Sequence, residues 1–481
     1  MIRISYNHKI QNMILLSFGL FLALFVIIGL LSAFKSKGTS ADYLIASHSE
    51  KPWLIAFSAV ATNNSGYMFI GMIGYAYSNG LSAIWIMICA ITGDFCASLF
   101  VHKKLRISSG SSSALSFPEA ISKWNGVDYP ILRVVGALIV VTFLSVYAAA
   151  QLQAGGKALH VLFGWHFAIG PIIGAAIVLV YCYAGGIRAS IWSNTAQSFV
   201  MIASMIILFF AALNKIGGLD AMIAGLRNVS PEYFSIFPHH LLFNKTAGLA
   251  LFIVGWFFGG FGIVGQPHIM SSFMAMNKPE NIGRVRLYYY SWYIIFFAFT
   301  LATGLAARLL LPMREGFDPE LALPILSQQI LPDVLIGLIL AGLFSATMSS
   351  ADSQILGCSA SITNDLFPKK RSSYFAAKLA TMVVTLIALL VAIGNNQSVF
   401  ALVNIGWLAL ACSFAPIITL YALGKKMSQQ LALSCMLTGF VTMMLWRYFD
   451  LGPAVYEAAP GILAGMLPYF LAKIFARFRN I

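Results

Sequence analysis

The segment "FSAVATNNSGYMFIGMIG", Phe57 to Gly74, decides how this chain is read. Both of its ends are apolar enough to lie in a bilayer, yet Thr62, Asn63, Asn64, Ser65 and Gly66 occupy its middle. Asn, Ser and Thr compete for backbone hydrogen bonds and Gly adds conformational entropy, so this is a poor helix centre. Backbone that leaves the helix at membrane depth is tolerated only where it is buried in protein or lines a cavity. The stretch is therefore either a close helix–helix contact, where small and polar residues are common, or a broken helix at a binding site.

The surroundings are those of a membrane protein. Of 481 residues, 59% are hydrophobic and 10% charged, far less charge than a soluble domain of this length carries. Apolar runs of about 18 or more residues recur, and they are continuous rather than alternating as barrel strands would be. The expected fold is an all-α membrane protein with about 13 transmembrane helices, including separate spans centred near residues 63, 174 and 200. The six cysteines fall inside proposed spans without metal or disulfide spacing and read as packing residues.

A net charge of +14 raises the question of a nucleic-acid partner. The basic residues sort by loop parity instead. Lys35, Lys37, Lys51, "HKKLR" (102–106), Lys278, Arg284, Arg286, "PKKR" (368–371) and "GKK" (424–426) all fall on one side. About two thirds of the Lys and Arg lie there, which the positive-inside rule makes cytoplasmic. We expect no nucleic-acid partner, and a multi-pass protein of the cell inner (plasma) membrane with its N-terminus outside and its C-terminus in the cytoplasm.

A second interrupted span favours the binding-site reading of the first. "GWFFGGFGIVGQPHIM", Gly255 to Met270, contains five glycines followed by Gln266, Pro267 and His268. It is expected five spans after the first, and paired interrupted helices at corresponding positions are the sequence mark of an inverted-repeat secondary transporter. A third span, "LFSATMSSADSQILGCSASITNDL" (Leu343 to Leu366), is dense in Ser and Thr. The Ala346 carbonyl with the Ser349 and Ser350 hydroxyls, joined by carbonyls near Ala61 and Asn64, would give a small cation neutral oxygens. That set suits a weakly held monovalent ion, since hard divalent cations usually take carboxylates. Asp352 reads as a residue that holds this helix by hydrogen bonds, His268 as a satisfied buried histidine, and Asp94 as a packed carboxylate or a proton route. No span pairs a nucleophile with a base and no phosphate-cradling loop is present, so no enzymatic activity is expected.

On "SAVATNNSGYMFIGMIG", "AGGIRASIWSNTAQ", "GQPHIMSSFMA", "FSATMSSADSQIL", "TNDLF" and "GWLALACSFAPIITL", the chain resembles the sodium/solute symporters and looks most like their sodium/proline branch. The resemblance implies a LeuT-like core of two inverted five-helix repeats. An extra helix and loop would occupy residues 1–45, the core 46–424, with repeats of about 46–215 and 246–424, and two further helices 425–481. Na+ would be the coupling ion, held by the carbonyls of Ala61, Asn64 and Ala346 and the hydroxyls of Ser349 and Ser350. Substrate contacts would fall on Asn63, Ser65, Gly66, Tyr67, Tyr147, Ile263, Gln266, Pro267 and Trp407, with Asn194 and Asp352 in supporting or coupling roles.

The departures from the family pattern are specific. Proline carriers are similar in "GQPH", but have an aromatic residue and a tryptophan where this chain has Ile263 and Gly259, which implies a differently shaped pocket. Asn194 stands where many members carry an aspartate, which argues against a second sodium ion. The expected function is sodium-coupled import of a small organic solute by alternating access, an amino acid or related zwitterion. The alternatives are a symporter for a sugar or carboxylate, a solute sensor on the same core, or a channel. The expected partners are that solute and the lipid bilayer, and the expected state is a monomer or weak oligomer.

Overall fold

The computed structural model describes residues 8–238, 241, 243, 245–311, 313, 316–371, 373–394 and 399–478. The extreme ends of the expected first and last segments thus lie outside the described residues. Among those described the chain is helical, with one isolated bridge between Glu50 and Met276.

The first half comprises α1 (His8–Ala33), α2 (Ser40–Ile45), α3 (Pro52–Asn63), α4 (Ile73–Asn79), α5 (Ile84–Ser111), α6 (Phe117–Ser122), α7 (Pro130–Phe163), α8 (Ile169–Ile216) and α9 (Leu219–Val229). The second comprises α10 (Lys245–Phe261), α11 (Pro267–Met274), α12 (Ile282–Leu310), α13 (Ala322–Ile330), α14 (Asp333–Ala360), α15 (Tyr374–Gly394), α16 (Val399–Ala422), α17 (Gln429–Tyr448) and α18 (Ala458–Phe478).

Burial separates the centre from the rim. In the stretch beginning with α14, 89% of the most apolar window is buried inside the protein, and 78% in α16, against 28% in α17 and 33% in α1. With no water in the hydrocarbon, the polar residues of a span must be matched inside the bundle. This is why the Ser- and Thr-rich α14 sits at the centre, packed on α1, α7 and α8. α1 keeps Leu16, Leu20, Leu24 and Ile27 on its outer face, where lipid is the solvent.

Among the described residues, eleven helical stretches are long and apolar enough to cross a membrane, rather than the thirteen expected. The difference has two sources. The expected spans near 174 and 200 form one stretch, 169–216, broken internally at Gly186, whose φ of 57° and ψ of −141° suit glycine. The expected span near 63 is divided into α3 and α4, of 12 and 7 residues, and α4 merges with α5 into one stretch.

Both interrupted helices are broken where the sequence indicates, each by its own device. In the first, Asn64 leaves the helix at φ −92°, ψ 66°, and its side-chain amide turns back to donate to the Val60 carbonyl at 2.8 Å. The same carbonyl also accepts from the Asn64 backbone N–H at 3.0 Å, so Asn64 caps the end of α3 with both of its amides. A π-helical turn, Tyr67–Met72, then leads into α4. In the second, α10 tightens into a 3-10 turn over Gly262–Gly265 and Gln266 is extended. Pro267 is the first residue of α11, where a missing N–H costs nothing. The break precedes Pro267 and lies in the glycines and Gln266.

Candidate transport site

The end of α3 and the middle of α14 meet through oxygen atoms. The Ser349 hydroxyl donates towards the Ala61 and Ala346 carbonyls at 3.1 Å each. Ser350 donates to the Thr62 carbonyl at 2.8 Å and towards Ala346 at 3.3 Å. Ala61, Ala346, Ser349 and Ser350 are all fully buried. The Thr62 carbonyl belongs to the cluster although sequence reasoning passed over it; its position between Ala61 and Asn64 on one helix end was the available signal. Asn64 stands at the C-terminal cap of α3, two residues beyond Thr62.

A second polar layer lies directly behind. The Asp352 carboxylate accepts from Tyr181 at 2.7 Å, Ser190 at 2.9 Å, Ser353 at 2.9 Å and the Asn194 amide at 3.2 Å. The same amide lies 3.1 Å from the Ser349 carbonyl and 3.3 Å from the Thr62 hydroxyl. Asp352 and Asn194 therefore reach the Ser349 cluster through its own backbone. The carboxyl group that position 194 lacks stands beside it on Asp352.

The cluster fits Na+. Its oxygens are neutral, buried and drawn from two helices, and a hard monovalent cation takes such donors while remaining able to leave. Among the described residues, no group of three or more His, Cys, Asp or Glu could hold a metal ion.

A cavity of about 80 Å³ lies on the other side of the first break. One water needs roughly 10–15 Å³ measured in this way, so the space is that of several waters or one small solute. Of the substrate residues expected from sequence, Asn63, Ser65, Tyr67, Tyr147, Ile263 and Trp407 line it. Gly66, Gln266 and Pro267 do not.

Gly66 and Gln266 bond to neighbouring elements instead. The Gly66 amide donates to Gln151 at 3.0 Å, and a Cβ on Gly66 would come within 2.7 Å of the Thr347 methyl. The Gln266 side chain donates to the Trp407 carbonyl at 2.9 Å, and the Trp407 indole donates to Gly259 at 3.1 Å. Pro267 opens α11 and is buried.

Sequence reasoning missed several lining residues. Asp94 is one, and is neither merely packed nor remote. Tyr293 and Phe297 come from α12, whose unbroken apolar pattern gave no signal. Tyr456 comes from the loop between α17 and α18, outside the expected core. Its ring occupies the room beside Gly259, where a Cβ would meet it at 2.9 Å, and it stacks on Trp256 at 4.3 Å. His268, expected to be satisfied, has no hydrogen-bond partner on either ring nitrogen among the described residues and packs edge-on to Tyr147.

Residues 43–439 match the sodium:solute symporter family. The chain belongs to that family. The symporter is 28% identical over 452 residues to the high-affinity proline transporter PutP of Bacillus subtilis, covering 92% of this chain and 94% of that one. It is 27% identical over 473 residues to the sodium/proline symporter of Escherichia coli, covering 95% and 92%. Among solved structures, a Na+-coupled sialic acid symporter in a substrate-bound, outward-open state superposes with a TM-score of 0.80 at 18% identity, over 95% of this chain and 98% of that one. MhsT in complex with L-phenylalanine superposes at 0.56 and 15% identity, over 87% and 98%. The fold is LeuT-like, and the protein is a Na+-coupled symporter of a small organic solute embedded in a membrane.

Proposed function

We propose that the symporter imports an amino acid or related zwitterion, and that Ala61, Asn64, Ala346, Ser349 and Ser350 hold its Na+. One observation carries the reading: consecutive residues of a single helix break face both features. Ala61 and Thr62 belong to the oxygen cluster, while Asn63 and Ser65 line the cavity. A cation at the cluster would fix the end of α3 against α14 and so fix the cavity wall. Solute in the cavity would in return favour the wall geometry that the cation needs, and such coupling is reciprocal.

The helix break adds a reason for a carboxylate-bearing solute. The start of the second half-helix presents partial positive charge through its dipole, while its first amides are held by Gln151 and Ser65. The proline-transporting relatives are consistent with a solute of this class. The excess of basic residues in one set of loops favours an N-terminus outside and a C-terminus inside, and an inward sodium gradient would give import its direction. The core at about 46–424 works as a monomer or weak oligomer.

The test is thermal stabilisation of the purified protein by amino acids, sugars and carboxylates, each in sodium and in potassium. A solute that stabilises only in sodium supports the reading. Equal stabilisation in both salts overturns it.

A further inference from the structure

We propose that Asp94 is the determinant that selects a cationic nitrogen on the solute. The inference deepens the reading above and rests on the same cavity. Asp94 lies on α5, 1% exposed, and borders the cavity beside Asn63 of the first break. Tyr290 donates to its Oδ1 at 2.6 Å and Tyr289 to its Oδ2 at 2.9 Å. The Asn63 amide stands 3.5 Å from Oδ2 and donates to the Tyr289 oxygen at 2.8 Å.

These partners orient the carboxyl group and bring no positive charge to it. An ionised carboxylate has about four acceptor sites, and two tyrosines and one distant amide leave part of that capacity open. The described ion pairs use Lys123, Arg133, Lys157, Arg188 and Arg371, and none involves Asp94. A carboxylate in a membrane span is expensive unless it is paired or faces a cavity, and by default marks function. Here it faces the cavity, and the missing partner is a cation.

The other walls suit the same charge. Tyr67, Tyr147, Tyr293, Trp407 and Tyr456 border the space, and aromatic rings attract ammonium groups through their negative faces. A neutral sugar or a simple carboxylate would leave Asp94 unmatched, whereas the ammonium of a zwitterion meets it. Because Asn63 touches both Asp94 and Tyr289, occupancy at Asp94 acts directly on the helix end that carries Ala61 and Thr62.

The experiment compares amino acids with their 2-hydroxy-acid analogues, which exchange only the ammonium for a hydroxyl. Binding to the purified full chain is followed by thermal shift and by isotherms in sodium and in potassium, with neutral sugars as a third set. We expect the best amino acid to bind about tenfold or more tightly than its hydroxy acid, because a site built for a polar group rejects the analogue that lacks it. Asp94→Asn should reduce that preference to about twofold or less, and Asp94→Glu should restore part of it. Stabilisation by sodium alone reports whether each variant is folded. A hydroxy acid or sugar that binds as well as the best amino acid overturns the proposal, as does a folded Asp94→Asn that keeps the tenfold preference. The preference is read within either salt, so loss of sodium dependence would count against the Na+ site and leave the role of Asp94 to be decided by the preference alone.

Discussion

Tyr456 lies stacked on Trp256, with ring centroids 4.3 Å apart and planes 8° from parallel. Its hydroxyl donates to Asn404 on α16 at 2.9 Å. A residue from the loop before the last helix thus joins the second broken helix to α16 across the cavity. Removing it as Tyr456→Ala should weaken solute binding by about 5–20-fold, the equivalent of a 1–1.8 kcal/mol loss of stacking and one hydrogen bond. Stabilisation by sodium alone should be unchanged. Parallel isotherms for solute and for sodium check this, and equal weakening of both would place Tyr456 in the general scaffold.

Ser349→Ala and Ser350→Ala should each raise the sodium concentration needed for half-maximal uptake by about tenfold or more, since a hydrogen bond or ligand to a charged group is worth ~1.5–3 kcal/mol. Ser350→Thr keeps the hydroxyl and should fall close to the parent. Uptake measured across a sodium titration distinguishes them.

Gly66 is fixed by close approach. A Cβ there would meet the Thr347 methyl at 2.7 Å and the Gln151 oxygen at 3.1 Å. Gly66→Ala should destabilise by about 1–3 kcal/mol through overpacking. Adding Thr347→Ser removes the obstructing methyl and should recover part of the loss, because the two positions are in contact and their effects will not add. Thermal midpoints of the two single variants and the double variant give the coupling.

Away from the cavity, the Arg188 guanidinium pairs with Asp42 at 2.6 Å and with Glu50. Burial pushes the Glu50 carboxyl above the usual range, and Arg188 opposes that shift. Arg188→Ala strands two buried acids and should cost about 3–5 kcal/mol, as breaking buried pairs does. Glu50→Gln leaves the Arg188–Asp42 pair in place and should cost clearly less. Thermal midpoints without ligand test the order, and equal losses would show that packing, not charge, dominates.

Much of the site was legible because its chemistry conflicts with its setting. Asn63, Asn64, Ser65 and Gly66 are poor residues for a lipid-facing helix, and the "SS" of α14 shares a span with other polar residues. Ala61, Ala346, Ser349 and Ser350 do come together. Gly66, Gln266 and Pro267 do not line the cavity, since a helix break marks a site without showing which side chains turn towards it. Asp94 was undervalued because a carboxylate in an apolar run looks the same in sequence whether it meets a cavity or a buried tyrosine.

The sequence by itself determined that this chain crosses a membrane many times, where its two interrupted helices break, and that α14 carries hydroxyls in the middle of a span. Those properties are local, because a hydrocarbon solvent penalises every unmatched polar group wherever it stands in the chain. Only the tertiary structure decided that Tyr456 fills the room left at Gly259 and that Asp352 stands beside Asn194. It also decided that Tyr289 and Tyr290 hold Asp94 at the cavity wall. Those are contacts between residues 158 or more positions apart, and sequence periodicity carries no record of which helix faces meet.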